Sequence, residues 1–141
     1  MRRYAFTLVE LLIVVIILGI LAAVVIPQFS DASTDARVSS LTTNLSTIRG
    51  QLEFYKMQHN SNYPTDNTTF TAQMTAGTDI SGAAGTDFGP YLQRVPNNPF
   101  TNTNTISATS GSGSAWYYDG ATGEFLADDG GSEGGTAHNT Y

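Results

Sequence analysis

Apolar and polar positions follow three different rhythms along this chain. Residues 11–26 form an unbroken apolar run that includes one glycine, Gly19, and no charged side chain occurs from residue 11 to residue 30. Counted over residues 6–26 the stretch has 21 residues, which as a helix spans roughly 31 Å. The hydrocarbon core of a bilayer is about 30 Å thick, so residues 6–26 are expected to form one membrane-crossing helix. Pro27 has no N–H to offer the carbonyl of Ala23, and Gly19 is a weak helix former. Gly19 and Pro27 therefore predict a kink or local melting, not a helix end.

The second rhythm has the period of an amphipathic helix. Val38, Leu41, Leu45, Ile48, Leu52 and Tyr55 recur at spacings of three and four, which puts them on one face. Under three heptads is short for a coiled coil, and the stripe is expected to pack on a sheet of the same chain. This second segment is set at residues 27–59. Its polar face carries Ser39, Ser40, Thr42, Thr43, Asn44 and Ser46, modest helix formers suited to line a neighbouring subunit. Gly50 within it suggests close packing. Asn60-Ser61-Asn62-Tyr63-Pro64 is a dense breaker cluster, so the helix should stop near His59.

Residues 60–128 have the third rhythm, short strands among turn residues. A loop with one short helix at 70–75 comes first. Residues 105–109 are a weak β-branched strand candidate, and Ala115-Trp116-Tyr117-Tyr118-Asp119 is a strong one. Gly120-Ala121-Thr122-Gly123 reads as a turn, and Glu124-Phe125-Leu126-Ala127 pairs back as a hairpin. Alternation places Trp116 and Tyr118 on one face and Tyr117 on the other. The expected fold is α+β: a long N-terminal transmembrane-then-amphipathic helix packed on a small antiparallel sheet of about three strands. Residues 129–141 are Gly-rich and acidic with little to bury, and read as a flexible tail.

Composition narrows the function. The chain has 141 residues, no cysteine, six basic residues against twelve acidic ones, and a net charge of −6. Nucleic-acid binding needs clustered Lys and Arg, and no such cluster occurs. Without cysteine there is no thiolate chemistry and no disulfide. The two histidines, His59 and His138, fall at a helix end and in the tail, and both read as solvated surface. No phosphate loop, zinc-protease motif or nucleophile elbow is present. The chain offers no catalytic residue and is not expected to be an enzyme.

Arg2 and Arg3 precede the apolar run and no basic residue follows until Arg37. The positive-inside rule then puts the N-terminus in the cytoplasm and the head outside. A cleaved secretory signal has a shorter core and a small-residue site, and Ala22-Ala23, with Leu21 upstream, is a poor one. A plain signal anchor fits the composition, but it leaves Glu10 unexplained. An ionisable group within an apolar segment costs about 2.5–3.5 kcal/mol on insertion scales and marks function by default.

Ala5-Phe6-Thr7-Leu8-Val9-Glu10-Leu11 resembles the processing site of type IV pilins and type II secretion pseudopilins. Ala5 stands where glycine is commoner, Glu10 is at the fifth position after the cut, and Pro27 falls where the family has its helix-kinking proline. The resemblance implies a leader over residues 1–5, cut between Ala5 and Phe6 by the prepilin peptidase, with N-methylation of Phe6. The mature chain then keeps its anchor, loses Arg2 and Arg3, and carries four basic against twelve acidic residues, or −8. It also implies that Glu10 pairs with the Phe6 amine of an adjacent subunit during assembly, an attraction strong at low dielectric.

Asn62-Tyr63-Pro64 and Pro90-Tyr91-Leu92-Gln93-Arg94-Val95-Pro96-Asn97-Asn98-Pro99-Phe100 are similar to the major pseudopilin, the G-type, in particular. That resemblance implies a filament subunit of a type II protein secretion system. Its partners would be copies of itself in a helical homopolymer, minor pilins or pseudopilins, and an inner-membrane assembly platform. It would be a single-pass inner-membrane protein with a periplasmic head, its filament periplasmic or extracellular. The alternative within the family is a type IV pilin serving adhesion, motility or DNA uptake. A non-assembling anchored binding module is the alternative outside it.

Major pseudopilins hold calcium in the loops around their last strands, and Asp119, Glu124, Asp128 and Asp129 fall in that region here. The resemblance implies a calcium site at Asp119, Asp128 and Asp129. The residues around Asp128-Asp129 do not align one by one with the family's ligands, and the other reading is a solvated acidic turn. Processing gives the first test: mass spectrometry of the mature protein should show N-methylated Phe6 as the first residue. A cut after Ala23, or an intact Met1 where the peptidase is present, would overturn the family resemblance.

Overall fold

The computed structural model describes residues 6–141, with the side chains of residues 26–31 outside the described set. The chain forms two compact units, Met1–Ala36 and Arg37–Tyr141. Helix α1 spans Leu8–Gln58 and runs on through Pro27, so the proline does not end the helix. A second helix, α2, spans Phe70–Thr75. The strands are β1 (Ile106–Ser107), β2 (Trp116–Asp119), β3 (Glu124–Ala127), β4 (Ser132–Glu133) and β5 (Thr136–Ala137), followed by a 3-10 turn at His138–Thr140.

The core of the second unit is the predicted stripe meeting the predicted strand face. Leu41, Leu45, Ile48, Leu52 and Tyr55 are buried together with Phe70, Met74, Trp116, Tyr118, Phe125 and Ala127. β2 and β3 pair antiparallel with Trp116 opposite Ala127 and Tyr118 opposite Phe125, so the inward side chains of both strands share one face. The rings of Phe70 and Tyr118 meet edge to face at 4.6 Å, a favoured aromatic arrangement. The polar tips of the inward aromatics are satisfied at the two proline islands. Trp116 Nε1 donates to the Pro96 carbonyl at 3.0 Å, and the Tyr118 hydroxyl donates to the Pro64 carbonyl at 2.7 Å.

The end of α1 shows why the breaker cluster works. Asn60 and Ser61 have φ of 54° and 64°, and the Ser61 N–H returns to the Lys56 carbonyl at 3.0 Å. This is a Schellman closure with Asn60 in the left-handed position usually taken by glycine. At the β2–β3 turn Gly123 has φ +76° and lies so close to the Tyr63 ring that a Cβ would collide with it. Glycine is therefore required there twice over.

Four expectations are corrected. The three-stranded sheet is mixed, not antiparallel: β1 runs parallel to β2, because residues 108–115 carry the chain back to the start of β1 instead of turning in place. The 129–141 segment is not a featureless tail, since it holds the β4–β5 pair and buries His138. His59 is not on the surface: it is 1 % exposed, stacked on Tyr55 at 3.7 Å, with Nδ1 and Nε2 bonded to the Tyr55 carbonyl and Thr78 Oγ1. It extends the stripe by one more step of four. Gly50, expected to mark close packing, has no neighbour among the described residues within 4 Å of where a Cβ would stand.

Because this core lies wholly beyond residue 36, a fragment of residues 28–141 should fold without the anchor. Leu45→Ala in that fragment should cost about 2–5 kcal/mol, measured by urea unfolding. Burial also pushes the Tyr55 phenol up to about 12 and Tyr118 upward from 10.0. With folded values above unfolded ones, their contribution to stability is complete below pH 10 and lost as pH rises towards the folded values. Tyrosinate absorbance should therefore appear in two waves, the later one together with unfolding.

Candidate assembly segment and acidic loops

The N-terminal unit presents a continuous apolar surface. The segment Leu8–Val25 has a mean hydropathy of 3.2 and none of it is buried within the chain. Phe6 is 72 % exposed just ahead of it. Such a surface has to be covered by lipid or by other protein.

Glu10 is held in a way the sequence analysis missed. The Thr7 N–H and hydroxyl both donate to Glu10 Oε2, at 2.8 and 2.7 Å, and the Glu10 N–H donates to Thr7 Oγ1 at 3.3 Å. Thr7-Leu8-Val9-Glu10 is a reciprocal capping box, which satisfies two of the amide donors that a helix start otherwise leaves bare. The Thr-x-x-Glu spacing ahead of an apolar run was the available signal. Glu10 Oε1 takes no hydrogen bond from the described residues, so only Oε2 is committed to the cap. Ala5, on the other side of the expected cut, lies outside the described residues.

In the head the three candidate calcium ligands are not brought together. Asp119 closes the β2–β3 turn, with Oδ1 accepting from the Ala121 N–H at 2.8 Å and Oδ2 from the Thr122 hydroxyl at 3.0 Å. These bonds hold its carboxyl below the usual carboxylate range. Asp128 organises the loop between β1 and β2. It accepts the Gly111 N–H at 2.5 Å, the Ser112 N–H at 3.0 Å and the Ser112 hydroxyl at 2.6 Å. Asp129 faces the other way, as successive residues in extended chain do. It contacts His138 Nδ1 at 2.8 Å, the Gly131 N–H at 2.9 Å and Asn98 Nδ2 at 2.8 Å. Among the described residues no group of three or more acidic or histidine side chains gathers at one point.

Two more residues escaped the sequence analysis. Asn98 is fully buried and joins the Ala115 carbonyl, the Asp129 carboxylate and the Phe100 N–H, which explains the Asn98-Pro99-Phe100 island. Arg49 reaches from the edge of the stripe to the Phe125 carbonyl at 3.0 Å and the main-chain oxygen of Tyr141 at 2.8 Å. A lone arginine gives no sequence signal for either partner.

Comparison with known proteins agrees with this geometry. Residues 1–26 match the prokaryotic N-terminal methylation motif, and residues 28–125 match the family described as type II secretion system protein G. The chain is similar to the type II secretion system core protein G of Klebsiella pneumoniae, 32 % identical over 99 residues, covering 70 % of each chain. It is also similar to that of Vibrio cholerae, 33 % identical over 101 residues, covering 72 % of this chain and 68 % of the relative. The Escherichia coli core protein G is 29 % identical over 101 residues, covering 72 % and 69 %. No solved structure matches the chain. A capped apolar helix, a small α+β head on its far half, and a match through both parts place the chain in one family: it belongs to the type II secretion system protein G family, the major pseudopilins, which are structural and not enzymatic.

Proposed function

We propose that this pseudopilin is cut between Ala5 and Phe6, methylated at Phe6, and polymerised into a helical filament through the apolar helix. The observation that carries the reading is the charge-poor, wholly exposed segment Leu8–Val25 with one carboxylate near its start. Secretion machinery supplies the partners. In this reading they are further copies of the chain, minor pseudopilins, the prepilin peptidase and an inner-membrane assembly platform. The basic pair Arg2-Arg3 supports a cytoplasmic N-terminus with a periplasmic head. Copies stacked by the same contact in a head-to-tail sense grow without closing. Gly19 and Pro27 supply the place where the helix can bend as it leaves the bilayer.

Glu10 then has two roles. Oε2 caps its own helix, and Oε1 is available to the Phe6 amine of a neighbour, a pairing strong where water is excluded. Glu10→Ala should leave the head folded and the chain in the membrane, with filament number falling at least tenfold by electron microscopy. Glu10→Gln keeps a capping oxygen and loses the charge, so it should also assemble poorly. Normal filament number in both would refute the pairing.

The head's loops are organised by the protein's own donors, so calcium is not part of this reading. Melting temperatures of the 28–141 fragment should coincide in chelator and in excess calcium. A bound ion at a hundredfold excess over its Kd would add about 2.7 kcal/mol, and a shift of that size would require Asp128 and Asp129 to leave their present partners.

A further inference from the structure

A polar cleft of about 590 Å³ opens between the end of α1, residues 61–65 and the β2–β3 turn. Ligand sites run to roughly 300–1,000 Å³ and are mostly apolar, so this one has the size of a site and an unusual lining. Among the described residues, Lys56 is the only Lys, Arg, Asp or Glu that lines it, in a chain with six basic residues against twelve acidic ones. Its ammonium is fixed in place. Nζ stands 4.5 Å over the Tyr63 ring and donates to the Tyr63 hydroxyl at 3.0 Å, which donates in turn to Glu53 Oε1 at 2.6 Å. Two ammonium protons are left over, and among the described residues no carboxylate forms an ion pair with Lys56.

The neutral groups of the lining are of two kinds. Ser81 Oγ gives its proton to Asp79 Oδ1 at 2.6 Å, and Thr122 Oγ1 gives its proton to Asp119 Oδ2 at 3.0 Å. Both therefore offer the cleft lone pairs only. Tyr55 is the opposite case. It is 1 % exposed and lines the cleft, and its hydroxyl bonds none of the described residues. A buried hydroxyl without a partner is costly, and a donor in the cleft's occupant relieves that cost. Asn62 adds an exposed side-chain amide that also bonds none of the described residues. The rings are already engaged: His59 stacks on Tyr55 with both nitrogens bonded, and Tyr63 lies against Lys56 and Gly123. The lining thus recognises polar groups and offers no free apolar face.

We propose that this cleft binds a sugar acid of the uronate class, with its carboxylate on Lys56 Nζ and its hydroxyls on Tyr55, Asn62, Ser81 and Thr122. The inference stands apart from the filament reading. One ammonium matches one carboxylate through a charge-assisted hydrogen bond. A phosphate dianion calls for more: no arginine lines the cleft, and the C-terminal end of α1 carries partial negative charge, which weighs against a dianion more than against a monoanion. An acidic peptide brings the carboxylate but few hydroxyl donors for Ser81 and Thr122. A polyol brings a donor and an acceptor on each hydroxyl, which suits a lining that holds both kinds.

The test uses the full-length protein in a detergent without a sugar headgroup, with binding read by ligand-observed NMR. Glucuronate, glucose, acetate and tetraglutamate are the probes. Glucuronate should bind saturably, and glucose and acetate at least tenfold more weakly, since each carries half of the recognised chemistry. Lys56→Gln should abolish the preference for glucuronate over glucose. Asn62→Ala, at an exposed loop position, should weaken glucuronate at least threefold with an unchanged melting temperature, and it decides the matter if Lys56→Gln fails to fold. Absence of saturable glucuronate binding, equal binding of glucuronate and glucose, or wild-type affinity in Asn62→Ala would overturn the site. Tetraglutamate binding more tightly than glucuronate would overturn the sugar acid in favour of an acidic peptide.

Discussion

Burial of a single helical stripe under one aromatic strand face organises the head. Leu41 to Tyr55 are covered by Trp116, Tyr118 and Phe125, with Phe70 and Met74 of α2 closing the gap. Each apolar side chain removed from water in this way contributes roughly 1.5–3 kcal/mol. The strands involved are only four residues long. A sheet of this size is marginal alone, so the helix serves as the missing second layer. The loops then attach where the inward aromatics end in polar atoms, at Pro64 and Pro96.

The acidic character of the head is put to structural use. Asp119, Asp128 and Asp129 each gather main-chain or side-chain donors from loops rich in Gly, Ser and Thr. A carboxylate that collects several N–H groups orders a loop without apolar burial. This is how a segment with half of its residues drawn from Gly, Ser, Thr and Asn reaches a defined arrangement. It also accounts for the ordered course of 129–141, where Asp129 meets the buried His138 beneath the Phe100 ring.

The sequence made the long periods legible and the short polar ties illegible. The 4-3-4-3 stripe, the 70–75 helix, and the Trp116–Ala127 hairpin follow from periodicity and turn residues, because each repeats a local rule several times. The parallel pairing of β1 does not follow, since two residues carry no directional pattern and the loop that returns the chain is tied by Asp128 from elsewhere in the sequence. The burial of His138 has no such pattern behind it, because an imidazole held by a carboxylate and a ring adds nothing to an apolar period. Thr7 shows the converse case: the capping spacing was present, but the carboxylate of Glu10 had already been assigned to intermolecular pairing. Of the candidate site, the apolar segment and Glu10 were legible, and the separate duties of the acidic loop residues were not.

The capping box also bears on what the start of this helix costs in an apolar setting. An uncapped helix start drags bare amide groups, and each would have to be stripped of water on entering hydrocarbon. Thr7 and Glu10 answer two of those groups from within the chain, so that share of the helix start's solvation is supplied by the helix itself.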